Sequence, residues 1–417
     1  MERNGGADFV AVSIREKLAK LSVLQSECCI YRVRKQLREL NEKAYEPEIV
    51  AIGPYHRDKP SLKMMEEHKL RYFQFILQQN NNATVERFII AVRSLEQEAR
   101  RCYAEPITLS PDEMIEMMIL DGCFIIKLLH KFETPCLRAN DPIFDMDWIV
   151  NSLQRDLLLF ENQLPFSILC KLFDIIEDPD NHNRLIHLVT RFFNDLLPDR
   201  VCSNIGNSSC RHLLGVIHNN WLPFEPNDSK KEESWCFIPS ATELQEAGVK
   251  LKKDKRGKLF DIKFKSGVMQ IPPITIEDRT ETFFRNLIAY EEYCPDNELS
   301  YVIDYVKFMD CLIKSPKDVE ILCRYGIIDN WQGDYGVVAR LFNKISAAVT
   351  GPGKHFRYAD VFNKVNNHRR KRRNRWMAIL NRNYLNSPWA LISILAALVL
   401  LLLTLTQTVF TVFPIKL

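Results

Sequence analysis

SPDEMIEMMILDGCFIIKLLHKFE, residues 110–133, is the stretch on which the fold class turns. Ser110 stands where a helix cap is wanted, Pro111 at the first helical position and Glu113 at the third. In that arrangement the serine hydroxyl and the glutamate carboxylate each take an orphan amide of the first turn. From Met114 to Leu129 almost every residue is apolar, so the spacing predicts a helix with no solvent face, central to a helical body. Asp121-Gly122 inside the run predicts a buried polar anchor beside a close backbone approach.

The same punctuation recurs outward from this helix. Ser240-Ala-Thr-Glu243 precedes Leu244 and Ala247, with Gly248 as a stop. Asp278-Arg-Thr-Glu281 precedes Phe283, Phe284, Leu287 and Ile288, and Ser315-Pro316 opens a helix through Val319, Ile321 and Leu322 that Gly326 closes. Between Gly248 and Ile276 the texture changes. Val249 and Leu251, then Phe260, Ile262 and Phe264, then Val268 to Ile276 are short β-prone runs, read as a small antiparallel meander that Pro272-Pro273 ends or confines to an edge. No internal repeat is present. The expected fold is mainly α: a large helical body, this meander and one C-terminal transmembrane helix. Its expected parts are an extension (1–26), the helical body (27–365, with the meander at about 248–276), a basic segment (366–386), the span (387–413) and a short tail (414–417).

Hydrophobic residues make up 46% of the 417 and charged residues 26%, values of a globular chain. The net charge is +3, yet Arg369, Arg370, Lys371, Arg372, Arg373 and Arg375 supply six positives, which leaves −3 for the remainder. A body so balanced lacks the distributed basic surface of a nucleic-acid binder, and no nucleic-acid partner is expected. The 12 cysteines follow no C-x-x-C or framework spacing, so they read as buried reduced thiols. Charges throughout residues 1–30 rule out a secretory signal in that stretch.

From Ser387 to Ile415 there is no charged residue, and Trp389 to Val412 as a helix would cover about 36 Å against a hydrocarbon core of about 30 Å. With the basic cluster before it and only Lys416 after, the flanks predict a tail-anchored, single-pass membrane protein whose N-terminal body is cytosolic. The lipid bilayer is then a partner. Arg369, Arg370, Lys371, Arg372, Arg373, Arg375 and Trp389 are its expected lipid contacts. Thr404, Gln407, Thr408 and Thr411 draw a polar stripe at i, i+3, i+4 and i+7. It is a candidate for pairing with another membrane helix or a second copy of the chain. The alternative is that the hydroxyls bond their own helix's carbonyls.

An ordered set of motifs covers nearly the whole chain. Leu37-Arg38, Asn41, Ala44-Tyr-Glu-Pro47, Ile52-Gly-Pro-Tyr-His56, Met65-Glu-Glu-His-Lys69 and Arg71-Tyr72 come first. Leu120-Asp-Gly-Cys-Phe-Ile125, Glu161-Asn-Gln-Leu-Pro-Phe166, Pro239-Ser-Ala-Thr-Glu-Leu244, Asp261-Ile-Lys-Phe264, Asn286-Leu-Ile-Ala-Tyr-Glu291 and Pro388-Trp-Ala390 follow. Together they resemble the plant family catalogued as domain of unknown function 247. The resemblance implies a mostly helical plant protein with one C-terminal span; some relatives are linked to self-incompatibility in grasses as recognition determinants. It carries no catalytic residue. Where relatives often have Val-Pro before the first Leu-Arg motif, this chain has Arg34-Lys35.

No serine-hydrolase elbow, phosphate-binding loop, dinucleotide fingerprint or zinc-protease helix occurs. No cofactor is expected. Cys202, Cys210, His212 and His218 fit no common zinc spacing, and His56, His68, Asp121 and Glu161 would need to converge in space to act as acid and base. The leading expectation is therefore an interaction, recognition or signalling component with a protein partner of unknown identity. A membrane-surface enzyme is the alternative and a nucleic-acid regulator the third reading.

Overall fold

The computed structural model describes residues 9–19, 28–79, 83–177, 182–196, 210–221, 234–293, 300–347, 349, 356–370 and 388–412. By contact the chain divides into two compact units, one of residues 1–194 with 202–220 and the other of residues 195–201 with 221–417.

The first unit is built around the helix Pro111–Glu133, whose Ser110 and Glu113 form the expected reciprocal cap. Glu113 N donates to Ser110 Oγ at 3.3 Å and Ser110 N to Glu113 Oε2 at 2.8 Å. Met114, Phe124, Ile126 and Leu128 are wholly buried, as a run without a polar face requires. Helices Met64–Gln79, Val85–Arg93, Phe166–Ile176 and His182–Phe192 pack around it. Gly122 lets one of them in: a Cβ there would come within 2.3 Å of Leu172 Cδ1 on Phe166–Ile176. Each large apolar side chain so buried contributes about 1.5–3 kcal/mol.

In the second unit Ser240–Glu243 and Ser315–Asp318 close capping boxes ahead of Ala241–Glu246 and Pro316–Arg324, while Gly248 and Gly326 take positive φ of 81° and 67° just past those helices. Thr280–Tyr293, Tyr301–Leu312, Tyr335–Ala347 and Ala359–Arg370 complete its helical part. Tyr301–Leu312 is capped from a distance, because the Glu291 carboxylate accepts the amides of Val302 and Ile303 at 2.9 Å each.

The expected antiparallel meander is corrected. Strands β1 (Lys250–Lys253), β2 (Lys263–Lys265) and β3 (Val268–Ile271) form a sheet in the order β1-β3-β2, with β1 parallel and β2 antiparallel to β3. Ser266 and Gly267, with φ of 51° and 82°, make the tight hairpin between β2 and β3. Residues 254–262 carry the chain from the end of β1 to the start of β2, a connection long enough to return it and leave β1 parallel. Pro272-Pro273 does end the pairing of β3. Beyond it β4 (Ile274–Ile276) joins a second sheet, parallel to β5 (Ile328–Asn330).

The membrane placement is corrected too. Residues Pro388–Val412 are helical, but among the described residues no helix is long and apolar enough to cross a membrane. A transmembrane helix, tail-anchored single-pass topology and the localisation drawn from them are therefore not supported. What stands is a mainly helical body with two small sheets.

Candidate functional site

Residues 28–56, which hold much of the first motif series, contain only one short helix, Lys35–Arg38, and one 3-10 turn, Glu42–Tyr45. Yet Val33, Val50, Ala51 and Ile52 are buried, and buried amides need acceptors. Asp156 at the end of the helix Asp147–Asp156, the segment after it and Asp121 supply them. Asp156 accepts the successive amides of Glu48, Ile49 and Val50 at 2.9, 2.8 and 3.1 Å. Asn162 Oδ1 accepts Ile52 N at 2.7 Å, and its Nδ2 returns a bond to Val50 O at 3.0 Å. Gly53 N donates to Asp121 Oδ2 at 2.8 Å. Gly53 has a φ of 72°, and a Cβ on it would lie 2.6 Å from Gln163 O, so this turn admits only glycine.

Glu161 is the hub of the first unit. Its side chain has no exposure; Val33 N donates to Oε1 at 2.7 Å, and the Arg38 fork reaches both oxygens at 3.1 and 2.8 Å. His56 Nε2 lies 3.3 Å from Oε2, off the line a full hydrogen bond needs, and its Nδ1 is 3.6 Å from Glu46 Oε2. Glu46 in turn pairs with Arg38 at 2.7 Å and with Lys59. Burial pushes the Glu161 carboxyl up, but His56, Arg38 and the Val33 amide outweigh it and hold the pKa at about 2.

Of the four acid–base candidates, the structure brings together His56 and Glu161. Asp121 faces Lys69 at 2.6 Å instead, whose Nζ also meets Glu66 Oε1 at 2.6 Å and Ala51 O at 2.7 Å. Burial works against the Lys69 charge, and the two carboxylates overcome it to raise its pKa. His68 takes no part in these contacts. A carboxylate so stabilised and so inaccessible is a weak base with no path to a substrate; what the constellation does is hold backbone. Among the described residues no three metal-ligating side chains gather. Cys202 lies outside them, and His212, whose pKa burial pushes down to about 3, accepts Gly215 N at 3.2 Å as a helix cap.

An accessible site lies in the second unit. A cleft of about 290 Å³ is walled by Thr275, Glu277, Arg279, Phe283 and Phe284, with Trp331 at its edge. The loop after β5 fixes Trp331: its backbone N donates to Ile276 O at 3.0 Å and its indole to Asp329 Oδ2 at 3.1 Å. Even so, Trp331 is 70% exposed. Arg279 Nε donates to Glu277 Oε1 at 3.1 Å, so charge borders the aromatic wall.

The residues expected from the sequence to contact lipid and helices are placed in part. Arg369 and Arg370 end the helix Ala359–Arg370, whose His368 packs on Phe264 with ring centroids 5.6 Å apart. Lys371, Arg372, Arg373 and Arg375 lie outside the described residues, as do the side chains of Trp389 and Thr411. Thr404 donates to Leu400 O at 2.6 Å and Thr408 to Thr404 O at 2.7 Å, both within their own helix, which also holds Gln407. Sequence reasoning passed over Asp156 and Trp331. Asp156 precedes an apolar run as many surface residues do, and nothing local marks Trp331 as exposed.

A family model described as plant protein of unknown function matches residues 30–403. A UPF0481 protein of Arabidopsis thaliana is 30% identical over 412 residues, covering 92% of this chain and 86% of its own. A putative UPF0481 protein of the same plant is 23% identical over 510 residues, covering 97% and 94%. No solved structure matches.

Proposed function

The chain belongs to this plant family of proteins of unknown function, and from that premise we propose that it is a protein-recognition component rather than an enzyme. The reading rests on Trp331, a large aromatic held rigidly by backbone and indole hydrogen bonds yet left 70% open to solvent at the edge of a cleft. Tryptophan and arginine anchors in preformed concavities dominate the energetics of protein interfaces, and a pinned ring loses little conformational freedom on binding. The polar residues of the first motif series support the reading from the other side: they are spent on holding backbone in the interior. A partner that presents an apolar side chain flanked by charge suits the cleft, whose lining combines Phe283 and Phe284 with Arg279 and Glu277.

The test is quantitative cross-linking of the full chain in plant cells, wild type against Trp331→Ala. The expected outcome is that at least one neighbour reproducibly enriched by the wild type falls about tenfold or more with the variant while the melting temperature is unchanged, since a hot-spot aromatic is worth about 2 kcal/mol or more. Equal recovery of every neighbour by both proteins would overturn the assignment of Trp331 to a recognition surface.

A further inference from the structure

Three cysteines, Cys28, Cys29 and Cys102, are neighbours through their backbone in the first unit. Ile30 and Tyr103 form an isolated parallel bridge, with Ile30 N donating to Cys102 O at 2.9 Å and Ala104 N to Ile30 O at 2.9 Å. One step back on each strand stand Cys29 and Cys102, joined by a further bond from Cys29 N to Cys102 O at 2.9 Å. Cys102 keeps the helical backbone of a C-cap, so it is the Cys29 N to Cys102 O hydrogen bond that brings the two backbones within reach of the about 4.4–6.8 Å between Cα atoms that a disulfide spans. The two side chains interact electrostatically, and the Cys102 thiol donates to Glu98 O at 3.5 Å.

The two thiols are unequal. Cys29 is 2% exposed, whereas Cys102 is partly open at the end of the helix Glu96–Arg101. The Cys102 side chain, and then burial, push the Cys29 pKa up, so Cys29 is the harder of the buried thiols to ionise and the poorer attacking group. Arg211, which reaches Cys28 O at 3.4 Å, adds a positive charge beside the group. Cys28 is directed differently: its Sγ donates to Cys102 O at 3.5 Å.

We propose that Cys102 and Cys29 are a hydroperoxide-oxidisable dithiol, with Cys102 the attacking sulfur and Cys29 the resolving one. The Cys102 thiolate attacks the terminal oxygen of the hydroperoxide; an S–O bond forms, the O–O bond breaks, and the leaving oxygen departs as water or alcohol after taking a proton. The Cys29 sulfur then attacks the sulfenic sulfur of Cys102; the S–S bond forms, the S–O bond breaks, and hydroxide leaves with the Cys29 proton as water. Two thiols lose two electrons and the hydroperoxide gains them. The product ties residue 29 to residue 102 around Arg38, Gly53 and His56.

The test uses the purified full chain and hydrogen peroxide, followed by alkylation and peptide mapping without reductant. The expected result is a loss of about two free thiols per chain and a Cys29–Cys102 linked peptide that dithiothreitol dissolves, in the wild type and in Cys28→Ser. Cys102→Ser should lack the link, and Cys29→Ser should leave a Cys102 sulfenic acid that dimedone captures. Because Cys29 is buried, the wild-type and Cys28→Ser maps decide the matter without the Cys29 variant. A link through Cys28, or full alkylation of all three residues after peroxide, would overturn the proposal.

Discussion

Glu161 and Gly53 show what one residue can settle. Glu161 lies 123 positions from Arg38, so the motifs name both partners while only the fold makes them a pair. The same distance hides the reason for Gly53, whose φ and contact with Gln163 O depend on a segment far along the chain. Glu161→Gln removes the charge that Arg38 and Val33 N are bound to. It is expected to lower the unfolding free energy by about 3 kcal/mol, read from denaturant titrations. Glu46→Gln, at a more open carboxylate, should cost under about 1 kcal/mol. Gly53→Ala should cost about 2 kcal/mol or more through its left-handed backbone and the clash with Gln163 O, again by denaturant titration.

Elements divide into those whose signals are local and those whose signals are not. The helices opening at Pro111, Ala241 and Pro316 were legible because a cap and its N3 partner sit three residues apart, and the structure closes all three boxes. Ser110→Ala is accordingly expected to destabilise the protein by about 1 kcal/mol and no more, measured as a fall in melting temperature. The strands were legible as strands, through β-branched and aromatic residues between turn signals. Their direction was not. Composition fixes the turn at Ser266-Gly267, but it does not say on which side of β3 the chain left by β1 will lie, and residues 254–262 settle that in space. The cleft escaped for a related reason, since its walls come from residues as far apart as Asp195 and Trp331.

At the scale of the whole molecule, hydropathy was the misleading signal. An uncharged tail states what its side chains prefer, whereas spanning a bilayer takes a helix both long and apolar enough, and none among the described residues is. The mainly helical character, by contrast, was readable throughout. The two units carry opposite responses to pH. Glu161 in the first has its folded pKa depressed to about 2 from 4.5, so its contribution is present above the unfolded value and is lost as pH falls through about 2. Asp304 in the second has its pKa raised by burial to about 7 from 3.8, against the pull of Arg357 N at 2.7 Å. The folded chain therefore binds that proton more tightly than the unfolded one, and stability falls as pH rises from about 4 to about 7. Asp304→Asn is expected to flatten that decline and to raise the melting temperature at about pH 8, as calorimetry across pH would record. Asp156 leads to a kinetic signature. Three consecutive amides share its one carboxylate, so a single opening event releases all of them. In deuterated water, Glu48, Ile49 and Val50 should then lose their protons with one common protection factor, set by a motion of that segment instead of by any neighbouring helix.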